Sequence, residues 1–296
     1  MVFVLLFDQK IKIVHIHGAS RGSFYRKYIV FYISKYIFGK RVVYHLHSGE
    51  FHIFYESSGN FIKRRIQHLT QSVDLMICLS THWYDYLGKN FKAKRLVILN
   101  NPVELPVVLN HHLDRNPVVR FLYLGLIVDK KGVFDLLAVI DKRKKDWNET
   151  FKLVIGGDGE NDRLKTIIKE NRLSKIVEFV GWVSGKEKAT LLAQCDVLIL
   201  PSYNEGLPIS ILEAMSYEKA ILSTNVGGIP AVVADGHNGY LFEPGNLSAL
   251  ENKINMLLEH PDKVVDMGVK SLAKVKPYLV DNVLEQMNKE YQSLLN

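Results

Sequence analysis

The sequence predicts an α/β protein built on two doubly wound, mostly parallel sheets. Three observations predict it. Short apolar runs alternate with amphipathic stretches along the chain, the pattern of strands joined by crossover helices. Residues 100–117 carry three prolines, two histidines and little periodicity, and divide the alternation into two sets. The length, 296 residues, accommodates about two domains.

In the first set the predicted strands are 12–17, 41–46, 74–79 and 96–99. Helical periodicity falls between them, over 20–38, 60–71 and 81–89. In the second set the predicted strands are 119–124, 152–155, 177–180, 197–200, 220–223 and 240–242. Helices are predicted over 133–144, 162–171, 186–194 and 208–216, and the chain turns helical from residue 246 to its end. No repeat at solenoid spacing and no low-complexity tract interrupts this order.

Composition excludes several classes. With 47% hydrophobic and 23% charged residues the chain is neither disordered nor fibrous. The two cysteines, Cys78 and Cys195, lie inside apolar runs and read as buried thiols of a reducing compartment. The apolar start, residues 1–7, lacks a basic leader and is a poor signal peptide. The aromatic stretch 28–38 is broken by Lys35 and is too short to cross a bilayer. A soluble, cytoplasmic protein is the expectation.

Charge is uneven. Residues 1–115 hold 16 Lys/Arg against 7 Asp/Glu, while the remainder holds 22 against 24. A basic first half points to an anionic partner, either nucleic acid or an anionic membrane face, with a merely solvated surface as the alternative. No nucleic-acid motif accompanies the charge, so no nucleic acid is expected.

In open parallel sheets ligands bind at the carboxyl ends of strands, so the loops there carry the candidate chemistry. The loop after 197–200 reads Pro201-Ser202-Tyr203-Asn204-Glu205-Gly206-Leu207-Pro208, followed by a helix carrying Glu213. Pro208 suits a first helical turn, and free amides at a helix start face an anion readily. Glu205 precedes that helix and Glu213 lies about a turn and a half into it. Carboxylates at this spacing span a stretch of ligand and accept from vicinal hydroxyls. Ile209, Leu212 and Met215 mark the helix as largely buried, so a carboxylate at 213 requires a partner. The loop after 119–124 contains Gly125, Leu126, Lys130, Lys131 and Gly132, a glycine-lysine combination that suits a diphosphate.

The string NEGLPISILEAM resembles the family 4 retaining glycosyltransferases, the glycosyl transferases group 1, whose E-x7-E motif Glu205 and Glu213 match. The resemblance implies a GT-B fold, two Rossmann-like domains facing a cleft. Residues 1–115 would be a shortened acceptor-side domain, 116–276 the nucleotide-sugar donor domain, and 277–296 a helix crossing back to the first. It implies that Glu205 contacts donor-sugar hydroxyls, that Glu213 holds the ribose, and that the amides of Gly206 and Leu207 approach sugar and phosphates. Gly125 and Lys131 match the family's GR…KG element, with Lys131 on the diphosphate. Leu126 stands where the family usually has arginine, which removes one of two cations. Gly157, within GGDGE, matches the turn lining the donor cleft. Trp182, within GWV, matches the turn near the base; it either stacks there or packs against a helix. In HLHSGEF, His47 matches a family HG or HT element facing the donor sugar, with a strand-capping histidine as the alternative reading. Gly227 and Gly228 complete the pattern near the sugar end.

The implied activity is retaining transfer from a nucleotide diphosphate sugar to a glycan or lipid-linked acceptor, in bacterial polysaccharide or lipopolysaccharide synthesis. No metal or other cofactor is implied. The chain begins at what resembles a later strand of the family, without its first glycine-rich loop. A non-catalytic nucleotide-sugar-binding remnant is therefore the alternative.

Overall fold

The computed structural model describes residues 10–106 and 118–296. The apolar start at 1–7 and most of the expected linker lie outside the described residues. Two compact units form. The first contains the chain up to Asn101, the short segment Glu205–Leu207, and Val280–Asn296; the second contains Pro102–Asn204 and Pro208–Leu279.

The first unit has a parallel four-stranded sheet in sequence order: β1 (Ile13–Gly18), β2 (Arg41–Leu46), β3 (Leu75–Cys78) and β4 (Leu96–Ile98). Its connections carry α1 (Gly22–Tyr32), α2 (Phe51–Ser57), α3 (Asn60–Ser72) and α4 (Thr81–Asn90). The predicted helix over 20–38 is thus shorter and changes character. It continues through Ile33–Ile37 with a wider turn, in which Phe38 N donates to the Ile33 carbonyl at 3.1 Å. The helix α2 has no counterpart in the sequence reading, because seven residues carry too few periods to declare themselves. One sheet face packs Tyr44, Met76 and Cys78 against Phe24, Phe31 and Ile66. The other packs Val43, Leu75 and Ile77 against Val283, Met287 and Tyr291 of the last helix, α12 (Val280–Leu295).

A buried ion pair ties this sheet to its helices. Lys35 Nζ donates to both carboxylate oxygens of Asp74 at 2.6 Å, Arg41 approaches at 3.6 Å, and Val42 N donates to Oδ2 at 2.8 Å. Burial alone would raise the Asp74 pKa; the hydrogen bonds from Lys35 and Val42 outweigh it and hold the carboxyl below its ordinary value. A depressed folded-state pKa contributes stability above the unfolded pKa, and that contribution is lost as pH falls through the folded value. Asp74→Asn should lower stability at pH 7 and weaken the acid-side fall seen in the parent. Urea unfolding at pH 7 and at pH 3 measures both, and equal stability at pH 7 would refute the assignment.

The second unit has a six-stranded parallel sheet in the order β10-β9-β8-β5-β6-β7. The strands are β5 (Val119–Leu124), β6 (Phe151–Gly156), β7 (Val177–Gly181), β8 (Val197–Leu200), β9 (Ala220–Thr224) and β10 (Gly239–Phe242). The helices are α5 (Val133–Arg143), α6 (Asn161–Glu170), α7 (Gly185–Gln194), α8 (Ile209–Ser216), α9 (Ile229–Val232), α10 (Leu247–Glu259) and α11 (Pro261–Val275). The interior strands β5, β6, β8 and β9 are mainly apolar, as a sheet covered on both faces requires; the exceptions are Arg120 and Lys152 near the amino ends of β5 and β6, and Ser223 and Thr224 at the carboxyl end of β9. Cys78 and Cys195 are free and buried, and burial pushes both thiols up to about 12. Among the described residues no helix is long and apolar enough to cross a membrane.

Candidate functional site

Strand order locates the candidate site in the second unit. From β5 the chain steps outward through β6 to β7, and from β8 it steps the opposite way through β9 to β10. β5 and β8 are neighbours, so their carboxyl ends flank the topological switch point, where open sheets bind ligands. The two loops leaving that point are the glycine-lysine loop and the start of the glutamate loop.

These loops are fastened to each other. Tyr203 N donates to the Lys130 carbonyl at 2.9 Å, and Tyr203 Oη donates to Asp135 of α5 at 2.7 Å. Gly132 adopts φ +69° between the short turn Asp129–Lys131 and α5, with its Cα facing Pro201; a Cβ there would lie 2.0 Å from the Pro201 carbonyl oxygen. Thr224 Oγ1 donates to the Ser202 carbonyl and Ser223 Oγ to the Leu200 carbonyl, both at 2.6 Å, which fixes the end of β8 from its other side. Lys131 therefore projects from a braced turn immediately before a helix.

Glu213 sits on α8, where Ile211, Leu212, Ala214 and Met215 are buried. Ile209 is the exception to the expected pattern: it opens the helix and is half exposed, because the first turn faces outward. Pro208 lies just ahead of the helix rather than in its first turn. The partner that Glu213 requires is Lys188 of α7, whose Nζ donates to Oε1 at 2.5 Å.

The remaining candidates in this unit occupy adjacent strand ends. Gly125 N donates to the Gly156 carbonyl at 3.1 Å and Gly157 N to the Gly181 carbonyl at 2.8 Å, which stitches the turns after β5, β6 and β7 together. Leu126 is 48% exposed, with its carbonyl accepting from Tyr123 Oη at 2.7 Å. Trp182 is 69% exposed, so it does not pack into a neighbouring helix. Gly227 has φ +55° and Gly228 is the residue before α9.

Glu205, Gly206 and Leu207 belong with the first unit, as does His47. Asn101 Nδ2 donates to the Leu207 carbonyl at 2.9 Å. A Cβ on Gly49 would come within 2.4 Å of the Glu205 carbonyl carbon, and one on Gly206 would lie 3.3 Å from the His47 carbonyl oxygen. Glu205 is buried. His47 lies just beyond β2 and bonds to His17, with Nδ1 of His17 and Nε2 of His47 at 2.8 Å. Burial, reinforced by the neighbouring His17 ring, lowers the His47 pKa to about 4, so it is a neutral imidazole at pH 7.

The sequence reading missed Lys188, the Tyr203–Asp135 bond and three further histidines beside His47. Lys188 carries no local signal, since it lies on a different helix and meets Glu213 only in the folded structure. The histidines do carry one: the pattern H-x-H occurs twice, in His15-Ile16-His17 and His45-Leu46-His47.

Comparison with known proteins identifies the family. The chain is 31% identical over 238 residues to an uncharacterized glycosyltransferase of Methanocaldococcus jannaschii, covering 79% of this chain and 64% of that protein. It is 24% identical over 247 residues to an uncharacterized glycosyltransferase of Haemophilus influenzae, covering 79% and 66%. The chain thus spans a little under two thirds of these relatives. Among solved structures, HepE of Anabaena in complex with UDP-glucose superposes with TM-score 0.81 at 20% identity, covering 98% of this chain and 81% of that one. Sucrose-phosphate synthase of Thermosynechococcus elongatus superposes with TM-score 0.80 at 20% identity, covering 96% and 74%. The model of the family described as glycosyl transferases group 1 matches residues 112–272, which is more than half the chain and contains both loops of the switch point. The chain therefore belongs to the glycosyl transferases group 1 and has the GT-B fold.

Proposed function

We propose that the protein transfers a sugar from a nucleoside diphosphate sugar to an acceptor hydroxyl with retention of anomeric configuration. The observation that carries this reading is the braced pair of loops at the switch point, with Lys131 just before α5 and Glu213 in α8. UDP-glucose bound to HepE supports a uridine nucleotide as the first donor to try. Lys131, with the amides near Gly125 and Gly157, meets the diphosphate, and Glu213 accepts from the ribose hydroxyls. The exposed Trp182 ring stacks on the base. Glu205, Gly206, Leu207 and His47 act at the sugar.

In the transfer step the bond from the anomeric carbon to the leaving phosphate oxygen breaks. The acceptor oxygen bonds to that carbon from the same face, and the acceptor proton passes to the departing diphosphate oxygen. Lysine charge and helix-start amides stabilise the diphosphate as it leaves, so the donor step calls for no metal. The test is transfer or hydrolysis with a panel of nucleotide sugars, with the product anomer read by NMR. Inverted product removes the retaining assignment. Nucleotide binding without any turnover would favour the alternative, a binding protein without catalysis, to which Leu126 in the usual arginine position lends support.

Lys131 and Leu126 give a paired expectation. Lys131→Ala should weaken UDP binding at least tenfold more than uridine binding, because only the diphosphate meets the lysine. Leu126→Arg should tighten UDP binding, since the half-exposed position admits a guanidinium without burying it. Calorimetry decides, and equal losses for UDP and uridine would assign Lys131 to the fold.

The acceptor in this reading is an envelope glycan, lipid-linked and met at the cytoplasmic face of a membrane. Support comes from the surface of the first unit. Phe24 and Phe31 enter the core, but Tyr25, Ile29, Tyr32, Tyr36 and Ile37 on the same stretch are exposed. Phe61 is exposed on α3 with the Arg65 guanidinium 4.9 Å from its ring centroid, and Arg64 is exposed beside it. Aromatic rings suit the interface and arginines suit lipid phosphates, at about 1 kcal/mol per basic residue near an anionic surface. Sedimentation with liposomes should rise with anionic lipid, fall with salt, and drop when Lys63, Arg64 and Arg65 become glutamine. Equal recovery on neutral vesicles would reject it.

A further inference from the structure

The two H-x-H patterns fall on adjacent parallel strands. β1 and β2 pair with His17 opposite His45 and His15 opposite Val43. Alternation along a strand then places His15, His17, His45 and His47 on one side of the sheet. It is the side that Val43 shares with Leu75, Ile77 and Tyr291 of α12. The four rings cluster there: centroids of His15 and His17 are 4.5 Å apart, of His45 and His47 4.1 Å, of His17 and His47 5.0 Å, and of His15 and His45 5.5 Å.

Such a cluster is poorly satisfied by the protein alone. His45 is 5% exposed, yet neither of its ring nitrogens has a hydrogen-bond partner of normal geometry; the Leu99 backbone lies only close enough to temper the effect of burial. His15 Nε2 is likewise buried without a partner, while its Nδ1 bonds to Tyr291 Oη at 2.5 Å. Buried polar atoms left in this state are rare in folded proteins and destabilising. One nitrogen each from His15, His17 and His45 lies within 4.8 Å of the other two.

We propose that His15, His17 and His45 form a binding site for a late first-row divalent cation of the zinc class. The donor set selects that class: three imidazoles suit zinc, cobalt, nickel or copper, whereas magnesium and calcium require oxygen. Nitrogens around zinc at about 2.0–2.1 Å sit roughly 3.4 Å apart, so small ring rotations close the site. His17 stands at the exposed edge and provides the entry path. With Nε2 of His15 on the ion, its Nδ1–H donates to Tyr291 Oη, the outer bond that orients a metal-binding histidine. The site lies wholly in the first unit and does not depend on the transferase reading.

The test uses the full chain, freed of any affinity tag, stripped with EDTA, then dialysed against zinc and washed. About one zinc per chain should remain by mass spectrometry. Cobalt should give the visible bands of a four-coordinate ion, and zinc should raise the melting temperature. His17→Ala, at an exposed position, should keep the fold and weaken zinc at least tenfold. Tyr291→Phe, which keeps all three ligands, should weaken it about tenfold. No retained zinc overturns the proposal. So does zinc that survives both His17→Ala and His15→Ala, because it then sits on other histidines.

Discussion

Gly132→Ala is expected to destabilise the second unit by about 2–5 kcal/mol, from left-handed strain of about 1–2 kcal/mol plus overpacking of about 1–3 kcal/mol. The site has no slack. Its φ is +69°, and the new methyl would stand 2.0 Å from the Pro201 carbonyl oxygen, a backbone atom that cannot rotate away. Relief requires the loop after β5 to withdraw from the loop after β8, which pulls Lys130 away from Tyr203. Stability and diphosphate binding should therefore fall together. Gly181→Ala is the control: its φ is +77°, but a Cβ there meets nothing within 4 Å, so only the dihedral strain applies. Urea denaturation of both variants measures the difference, and equal losses would mean that the close approach to Pro201 contributes nothing.

Glu213→Gln is expected to weaken nucleotide binding by about 1–3 kcal/mol, the range for losing a charged hydrogen-bond partner, or roughly fivefold to 150-fold in Kd. The ion pair with Lys188 complicates the single variant, since the glutamine also leaves an ammonium without its anion. Lys188→Met alone and the double variant separate the two effects. If Glu213 serves the ribose, the double variant stays as weak as Glu213→Gln. If Glu213 serves only to neutralise Lys188, removing both restores binding. Calorimetry with UDP and with uridine is the measurement, and restoration would end the ribose assignment.

The sheets were legible because their strands are apolar runs with sharp ends. β2, β5 and β8 have the bounds that hydropathy sets, and the other strands differ by one residue at one or both ends. The helix α2 was not legible, since it follows a loop of polar and small residues and is too short to show a period. Glu213's need for a partner was legible from its helix, but the partner was not, because Lys188 is separated from it by a strand and a loop. The exposure of Ile209 was hidden for a related reason: apolarity does not reveal which way a first turn faces. The histidine cluster depends on the register of β1 against β2, and register is a property of the folded sheet rather than of either strand.

The segment Glu205–Leu207 has a further consequence for how the molecule is put together. The first unit is assembled from three separate pieces of chain: the part ending at Asn101, three residues from the middle, and the last helix. A protease cutting in the region after Asn101 would sever one covalent thread, yet the downstream fragment would still hold two pieces of the upstream fragment's own body. Arg95 forms an ion pair with Glu290 at 2.6 Å, and Gln286 donates to the Ile98 carbonyl at 2.8 Å, across such a cut. The nicked protein is thus organised like a split reporter: the upstream fragment lacks two pieces of the first unit, which the downstream fragment carries beside the second unit.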